Sequence, residues 1–297
     1  MFKTIKAFIL IFCFGAFLQS VNADGNLKFT DYNESKTSSV VFRSSLEMSL
    51  ARRGLKSADF CDENDAVSRR VLKDYGAIFL ADDKNLLLPP VCIFASEVSV
   101  TDFQKQMRIA RARIGDAEIE LQSEAMNALL AARREAITAG LNITPRDGAE
   151  AARRDYSDTL RLWNSRFFPA LEHWRRLGKL TRSDAERLSS LSTQAQIEAV
   201  LELEERGVFF SKDFSKSILY SVAAPGASQH LSLLAFDANE YEHEKVRRIL
   251  ARHGWFRTVK NDSPHFTFLG VREKDLPARG LRKLESFGGE FWIPNMQ

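Results

Sequence analysis

The sequence predicts an α+β protein, in which a helix-rich N-terminal region precedes a small, mostly antiparallel sheet with flanking helices. Two observations support this class. Apolar residues recur at helical spacing from about residue 123 to Gly207, and short apolar runs bounded by turn residues follow Gly207. Helices followed by such a sheet make an α+β domain, whose functional residues tend to lie where strands end and loops begin.

The chain opens with the features of a secretory signal peptide. Lys3 and Lys6 are basic, residues 7–18 form an apolar run too short to span a bilayer comfortably, and residues 21–23 (VNA) offer small side chains for cleavage. An uncleaved membrane anchor is the alternative. We therefore predict a signal peptide over residues 1–23, no stable membrane span after its cleavage, and export to the periplasm or the extracellular space.

Charge and cysteine content narrow the range of partners. Loss of Lys3 and Lys6 with the signal peptide lowers the formal charge from +3 to +1. A near-neutral chain argues against nucleic acid as the main partner. The mature chain keeps Cys61 and Cys92, which can form one disulfide in an exported protein. Two unpaired thiols in the core are the alternative.

Capping residues and glycines mark the expected elements of the mature chain. We divide it into an N-terminal region of unknown role, residues 24–110, and a domain over residues 111–297. Helices are predicted from Ser123 to about Gly140, over 149–167 and 169–177, and from Ser183 and from Thr193 onward. Strands are predicted at 217–223, 231–236, 255–259 and 265–269, with a helix at 241–253.

A histidine and an aspartate bracket one of these apolar segments. Burying His230 and Asp237 costs free energy unless each finds a partner. In an ideal strand, positions seven apart point to opposite faces. For His230 and Asp237 to meet one ion, His230 must lie in the loop that begins at 225–226, before the strand, or the strand must be bulged. His265 begins another predicted strand. Two histidines and one carboxylate suffice for a catalytic zinc with an open position, although ordinary strand ends also carry such residues.

The motifs around these residues resemble those of a known family. Segment 225–237 (PGASQHLSLLAFD) resembles the Ser-x-His-x6-Asp signature of D-alanyl-D-alanine carboxypeptidases of the vancomycin-resistance type, whose zinc fold is shared with lysostaphin-like and hedgehog domains. Segment 262–270 (DSPHFTFLG) is similar to the family's Glu-x-x-His signature. Segment 154–163 (RDYSDTLRLW) is a weaker match to its Tyr-Arg-Ser-Tyr helix, whose arginine faces the substrate carboxylate. The resemblance spans about residues 150–270.

The resemblance implies a zinc peptidase that acts on peptidoglycan stem peptides. Its leading reaction is removal of a terminal D-alanine, and cleavage inside cross-links is a second possibility. The implied residues are the zinc ligands His230, Asp237 and His265, the general base Asp262, and the substrate contacts Arg154 and Ser228. Arg154 also has a simpler interpretation, because Asp158 lies four residues later and can pair with it on a helix surface.

Two residues depart from the family pattern. Leu233 occupies the position of a family glycine, and Asp262 stands where glutamate is usual. The shorter side chain retracts the carboxylate by about 1 Å, and misplacement on that scale can cost about a hundredfold in rate. The backbone at 263–264 then shifts to compensate, Glu240 or Glu242 serves as the base, or catalysis is lost. In the last case the chain is a cell-wall-binding or structural module that keeps the fold.

Overall fold

The N-terminal part of the molecule is helical, as predicted. The computed structural model describes residues 41–82, 84–286 and 288–296, so the predicted signal peptide lies outside the described residues. The first helices are α1 (41–52), α2 (Ser57–Phe60), α3 (Ala66–Tyr75) and α4 (Glu97–Gln104). The predicted α+β class is confirmed, since small antiparallel sheets accompany the helices in the described residues.

An antiparallel hairpin, which the sequence analysis did not predict, precedes the central helices. It consists of β1 (Ile109–Ile114) and β2 (Ala117–Gln122), so the proposed boundary at residue 110 falls within β1. The helices that follow are α5 (Ser123–Thr138), α6 (Tyr156–Arg176), α7 (Arg182–Ser190) and α8 (Thr193–Glu205).

Helix α6 corrects the prediction of two helices over 149–167 and 169–177. It begins only after the capping box formed by Asp155 and Asp158, and it continues through Pro169. An internal proline costs a helix about 3 kcal/mol. Trp163 and Phe167 are fully buried on the same helix, and burial of one large apolar side chain contributes about 1.5–3 kcal/mol. Packing of the apolar face therefore outweighs the local cost of the proline.

A three-stranded antiparallel sheet forms the C-terminal half of the core. Its strand order is β3 (Ala235–Asp237), β5 (His265–Phe268) and β4 (Trp255–Phe256), and helix α9 (Glu244–Arg252) precedes β4. A second hairpin, β6 (Leu281–Ser286) and β7 (Gly289–Pro294), completes the described chain.

One predicted strand, 217–223, is wrong, and another, 231–236, begins only at Ala235; both differences bear on the functional site. Residues 217–223 contain a 3₁₀ turn at Ile218–Tyr220, and residues 231–234 lie outside any strand. A second 3₁₀ turn, Gln229–Ser232, ends at Leu233, whose φ of 56° is left-handed. This conformation is unfavourable for a leucine, but the side chain is fully buried. Leu233 thus keeps a backbone conformation that suits the glycine of the family pattern, and the chain cannot extend until β3.

The N-terminal helices and the C-terminal sheet share one hydrophobic core, which runs from Phe42 to Leu281. The loop before the Gln229–Ser232 turn packs directly on the N-terminal region, because the Phe94 N–H donates to the Gly226 carbonyl (2.9 Å). A Cβ on Gly226, whose φ is 81°, would lie 2.0 Å from the Phe94 oxygen. The N-terminal region therefore acts as a scaffold for this loop.

The predicted disulfide is present between Cys61 and Cys92, which joins the region after α2 to the loop before α4. A disulfide is typical of an oxidising, extracytoplasmic compartment. Among the described residues, no helix is both long and apolar enough to cross a membrane.

Candidate metal centre

The fold brings His230, Asp237 and His265 together. His230 lies in the 3₁₀ turn Gln229–Ser232, Asp237 ends β3, and His265 begins β5. The strand register places Asp237 directly opposite His265. His230 joins them because the turn, rather than a bulged strand, separates it from β3. Of the two geometries that the seven-residue spacing allowed, the structure has the loop geometry.

The three side chains form a compact set of donor atoms. Asp237 Oδ1 lies 3.3 Å from His230 Nε2 and 3.1 Å from His265 Nδ1, and the two nitrogens are 3.1 Å apart. Tetrahedral zinc with bonds of about 2.0–2.1 Å requires ligand separations of about 3.3–3.4 Å. Only 1% of His230 and 4% of His265 is exposed. The set is therefore close to the size of a zinc site and is shielded from water.

Hydrogen bonds on the far side of each imidazole determine which nitrogen carries the proton. His230 Nδ1 lies 3.0 Å from the Ala152 carbonyl, and a carbonyl can only accept, so Nδ1 donates. His265 Nε2 lies 2.9 Å from Gln229 Oε1, which likewise accepts. In the neutral rings, His230 Nε2 and His265 Nδ1 then carry lone pairs. Such outer hydrogen bonds are typical of histidines that bind metals.

Burial and neighbouring charges shift the pKa values of His230 and Asp237. Burial lowers the pKa of His230 to about 4, and the charge of Arg154 acts in the same direction. Burial alone would raise the pKa of Asp237, but its contacts with His230 and His265 hold it well below the ordinary value. One donor atom each of His230, Asp237 and His265 thus converge on one point, which is an arrangement that a bound cation satisfies.

A cleft of about 260 Å³ opens beside the three ligands, and all three remaining predicted site residues line it: Asp262, Arg154 and Ser228. Asp262 is half-buried, in the turn that leads into β5, where its N–H donates to the Val259 carbonyl. Burial raises the pKa of the Asp262 carboxyl above its ordinary value. No described residue donates a hydrogen bond to this carboxylate, so it is free to accept a proton from a molecule in the cleft.

Arg154 contacts the metal centre and not Asp158. Its Nη2 donates to Asp237 Oδ2 (2.8 Å), and its Nε donates to the Glu150 carbonyl (3.1 Å). Asp158 is instead part of the capping box that begins α6, where its carboxylate accepts from the Asp155 N–H. The cap therefore fixes the start of the helix and leaves Arg154, one residue before it, directed toward the metal centre.

The alternative bases suggested by the sequence lie elsewhere. The Glu240 carboxylate accepts from the backbone N–H and from the hydroxyl of Thr144, both at 2.7 Å. Glu242 is exposed, and neither glutamate lines the cleft. Of the three acids considered, only Asp262 does.

Sequence reasoning missed the residues that support the ligands. Gln229 Oε1 accepts from His265 and also from Thr258 and Thr267, while Gln229 Nε2 donates to the Tyr75 carbonyl. The position of Gln229 next to His230 is a signal that could have found it. The two threonines carry no such signal, because their place beside the site depends on the pairing of β4 with β5.

The cleft also contains cations that the sequence analysis did not select. Arg166, on the third turn of α6, donates to Ser221 Oγ and Ser165 Oγ, and Arg146 lies opposite the ring of Tyr241. No described carboxylate lies within ion-pair distance of Arg166. Arg146 pairs with Asp147 and Arg154 with Asp237, so Arg166 is the cation of this cleft that a negatively charged group can pair with.

Comparison of the chain with models of protein families finds no match, and comparison with curated proteins finds no significant one. The class defined by the fold and the site is thus an α+β protein with a buried His-Asp-His centre that could bind a metal.

Proposed function

We propose that this chain is an exported zinc-dependent peptidase that acts on peptidoglycan stem peptides, with D-alanyl-D-alanine carboxypeptidase activity. The proposal is carried by one observation: three converging lone-pair atoms open into a cleft that also contains a free carboxylate and several arginines. The sequence motifs at 225–237 and 262–270 favour this family, and the disulfide agrees with export.

The donor set of His230, Asp237 and His265 suits zinc, which accepts imidazole nitrogen and carboxylate oxygen and, in catalytic sites, uses three protein ligands. Bound zinc lowers the pKa of a coordinated water toward neutrality and polarises a carbonyl group. The protein supplies the rest. Ala152 and Gln229 orient the two imidazoles, and burial keeps bulk water from the ligands.

Asp262 is the proposed general base. It would take a proton from the attacking water and pass it to the leaving amine. A pKa raised by burial favours the first step, because the carboxylate then takes up a proton more readily than an exposed aspartate does. Arg154 would stabilise charge at the reacting carbonyl from its position on Asp237.

The terminal carboxylate of the substrate needs a cationic partner that is not already occupied. Because Arg154 already donates to Asp237, we assign this role to Arg166 instead of to Arg154. Guanidinium groups bind planar carboxylates through paired hydrogen bonds. Ser228, half-buried at the cleft wall, would contact the peptide backbone.

Metal analysis of the purified mature chain tests the metal centre first. We expect about one zinc per molecule, as a single three-ligand site requires. We also expect loss of this zinc in the double variant His230→Ala/His265→Ala. The matched control is His243→Ala, which removes an exposed histidine outside the cleft and should leave the metal content unchanged. Full zinc content in the double variant would refute the site.

Digestion of peptidoglycan and of free pentapeptide, followed by mass spectrometry, tests the reaction. We expect chelator-sensitive release of D-alanine that is lost in Asp262→Asn. Equal cleavage by this variant and the wild type would place the base elsewhere.

A second function is favoured by the short Asp262 side chain, namely a cell-wall-binding module that holds zinc without hydrolysis. Zinc binding without any cleavage, and no gain in Asp262→Glu, would support that module.

A further inference from the structure

A basic groove lies between α9, β4 and the β6–β7 hairpin, and it shares no lining residue with the metal cleft. Its volume is about 810 Å³. The cationic residues that line it are Arg247, Arg248, Arg252, Arg257, Arg272 and Lys283.

Acidic neighbours neutralise four of these six cations. The pairs are Arg248 with Glu244, Arg252 with Glu135, Arg272 with Asp275, and Lys283 with Glu290. Arg247 and Arg257 have no carboxylate within ion-pair distance among the described residues. Arg247 donates to the carbonyls of Tyr241 and Glu242, and Arg257 donates to that of Gly288. Two guanidinium groups in one groove therefore have no ion-pair partner, although the charge of Glu290 still acts on Arg257.

The burial of Arg257 makes this imbalance costly. Only 5% of the residue is exposed, and its guanidinium carbon lies 4.6 Å from the centre of the Phe291 ring. A buried charge is unfavourable unless it is paired and hydrogen-bonded. Burial, together with the charge of Arg247, lowers the pKa of Arg257 to about 10, so the side chain stays positively charged at neutral pH.

Trp255 provides an independent observation in the same groove. It lies two residues before Arg257 and lines the groove, and its side chain is fully buried. Its indole N–H has no acceptor among the described residues. Buried donors in proteins are almost always satisfied, so this unpaired N–H is an unusual feature of the groove wall.

We propose that this groove is a second binding site, specific for a phosphate group. Phosphate offers several oxygens to donors that approach from different directions, and it matches the fork geometry of arginine. Arg247 and Arg257 would neutralise it, and Trp255 would lie beside it in the wall of the groove. The site is separate from the metal centre and does not depend on the proposed peptidase activity.

Nuclear magnetic resonance of the indole N–H groups tests this site on the intact mature chain. The chain has four tryptophans, of which Trp255 and Trp292 line the groove. Trp163 and Trp174 serve as internal controls, because their indoles already donate to Gln196 and to the Phe209 carbonyl. We expect inorganic phosphate to shift the first two signals saturably and to leave the control signals in place. Equal shifts with chloride at matched ionic strength would overturn the proposal.

Variants show whether the arginines without an ion-pair partner carry the binding. We expect Arg247→Gln to weaken phosphate binding at least tenfold. Arg248→Gln, which removes the neighbouring arginine already paired with Glu244, should change it less than twofold. Unchanged indole signals of the control tryptophans show that each variant is folded. Wild-type affinity in Arg247→Gln would refute the assignment.

A second titration distinguishes the source of the phosphate group. Glycerophosphoglycerol, the soluble headgroup of an anionic lipid, is compared with inorganic phosphate. Tighter binding of the headgroup points to a membrane or polymer phosphodiester, and tighter binding of inorganic phosphate points to a free anion. Failure of both to shift the groove signals would refute the site.

Discussion

Gln229 orients His265 in the candidate metal centre, so its replacement gives a sharp test. Gln229 Oε1 accepts from His265 Nε2 at 2.9 Å, and this bond directs the lone pair of Nδ1 toward Asp237 and His230. Loss of such an outer hydrogen bond typically costs 10–100-fold in metal affinity, or about 1.4–2.7 kcal/mol. We expect a loss of this size for Gln229→Met, measured by competition for zinc with a chromophoric chelator.

The chain offers a matched control in Gln196. This second buried glutamine also accepts from a ring N–H, that of Trp163, and also donates to a carbonyl, that of Leu188. Both variants should lose stability, by about 1–3 kcal/mol for each buried group left unsatisfied. Only Gln229→Met should lose zinc affinity. The reasoning is refuted if it binds zinc as tightly as the wild type, or if Gln196→Met loses as much affinity.

Two further predictions concern stability. Because the folded-state pKa of His230 is about 4, below the ordinary 6.5, its contribution to stability is complete above pH 6.5 and is lost as the pH falls toward 4. In urea unfolding of the metal-free protein, the free energy of unfolding should fall by about 2 kcal/mol between pH 7.5 and 5 because of His230. A His230→Gln variant whose free energy of unfolding falls as much over this pH range would contradict the prediction. Gly226→Ala should destabilise the protein by more than 3 kcal/mol, because the added methyl group would meet the Phe94 backbone. Gly140 also has a left-handed φ, but no atom lies where the added methyl group would go, so Gly140→Ala should cost only about 1 kcal/mol of stability. Thermal unfolding measures both variants. Equal losses of stability would show that backbone strain, and not contact with Phe94, determines the cost at Gly226.

Local signals in the sequence were sufficient for several parts of the fold. Helix α8 begins at Thr193 as predicted, because Ser192 supplies a side-chain cap for its first turn. Cys61 and Cys92 form the expected disulfide. These features depend on residues near one another in the chain, or on the compartment, and no knowledge of packing is needed to see them.

Other local sequence signals gave wrong secondary-structure predictions where tertiary packing favours a different backbone conformation. The apolar run at 231–234 favours a strand. In the structure, Leu231 lies in a 3₁₀ turn and Leu233 has a left-handed φ, and both side chains are buried beside Phe94 and Phe103. Pro169 reads as a helix boundary, yet α6 continues through it. In both cases side chains distant in sequence decide the backbone conformation, since the apolar area they bury outweighs the local preference.

The sequence by itself determined the chemical types in the candidate centre, their order along the chain and the requirement for a loop or bulge between His230 and Asp237. Only the tertiary structure decided that these ligands meet, that Arg154 contacts Asp237 in place of Asp158, and that Gln229 orients His265. The physical reason is separation. A cap or a turn is decided by a few consecutive residues, whereas contacts across 28 to 83 positions exist only once strand register and core packing are fixed.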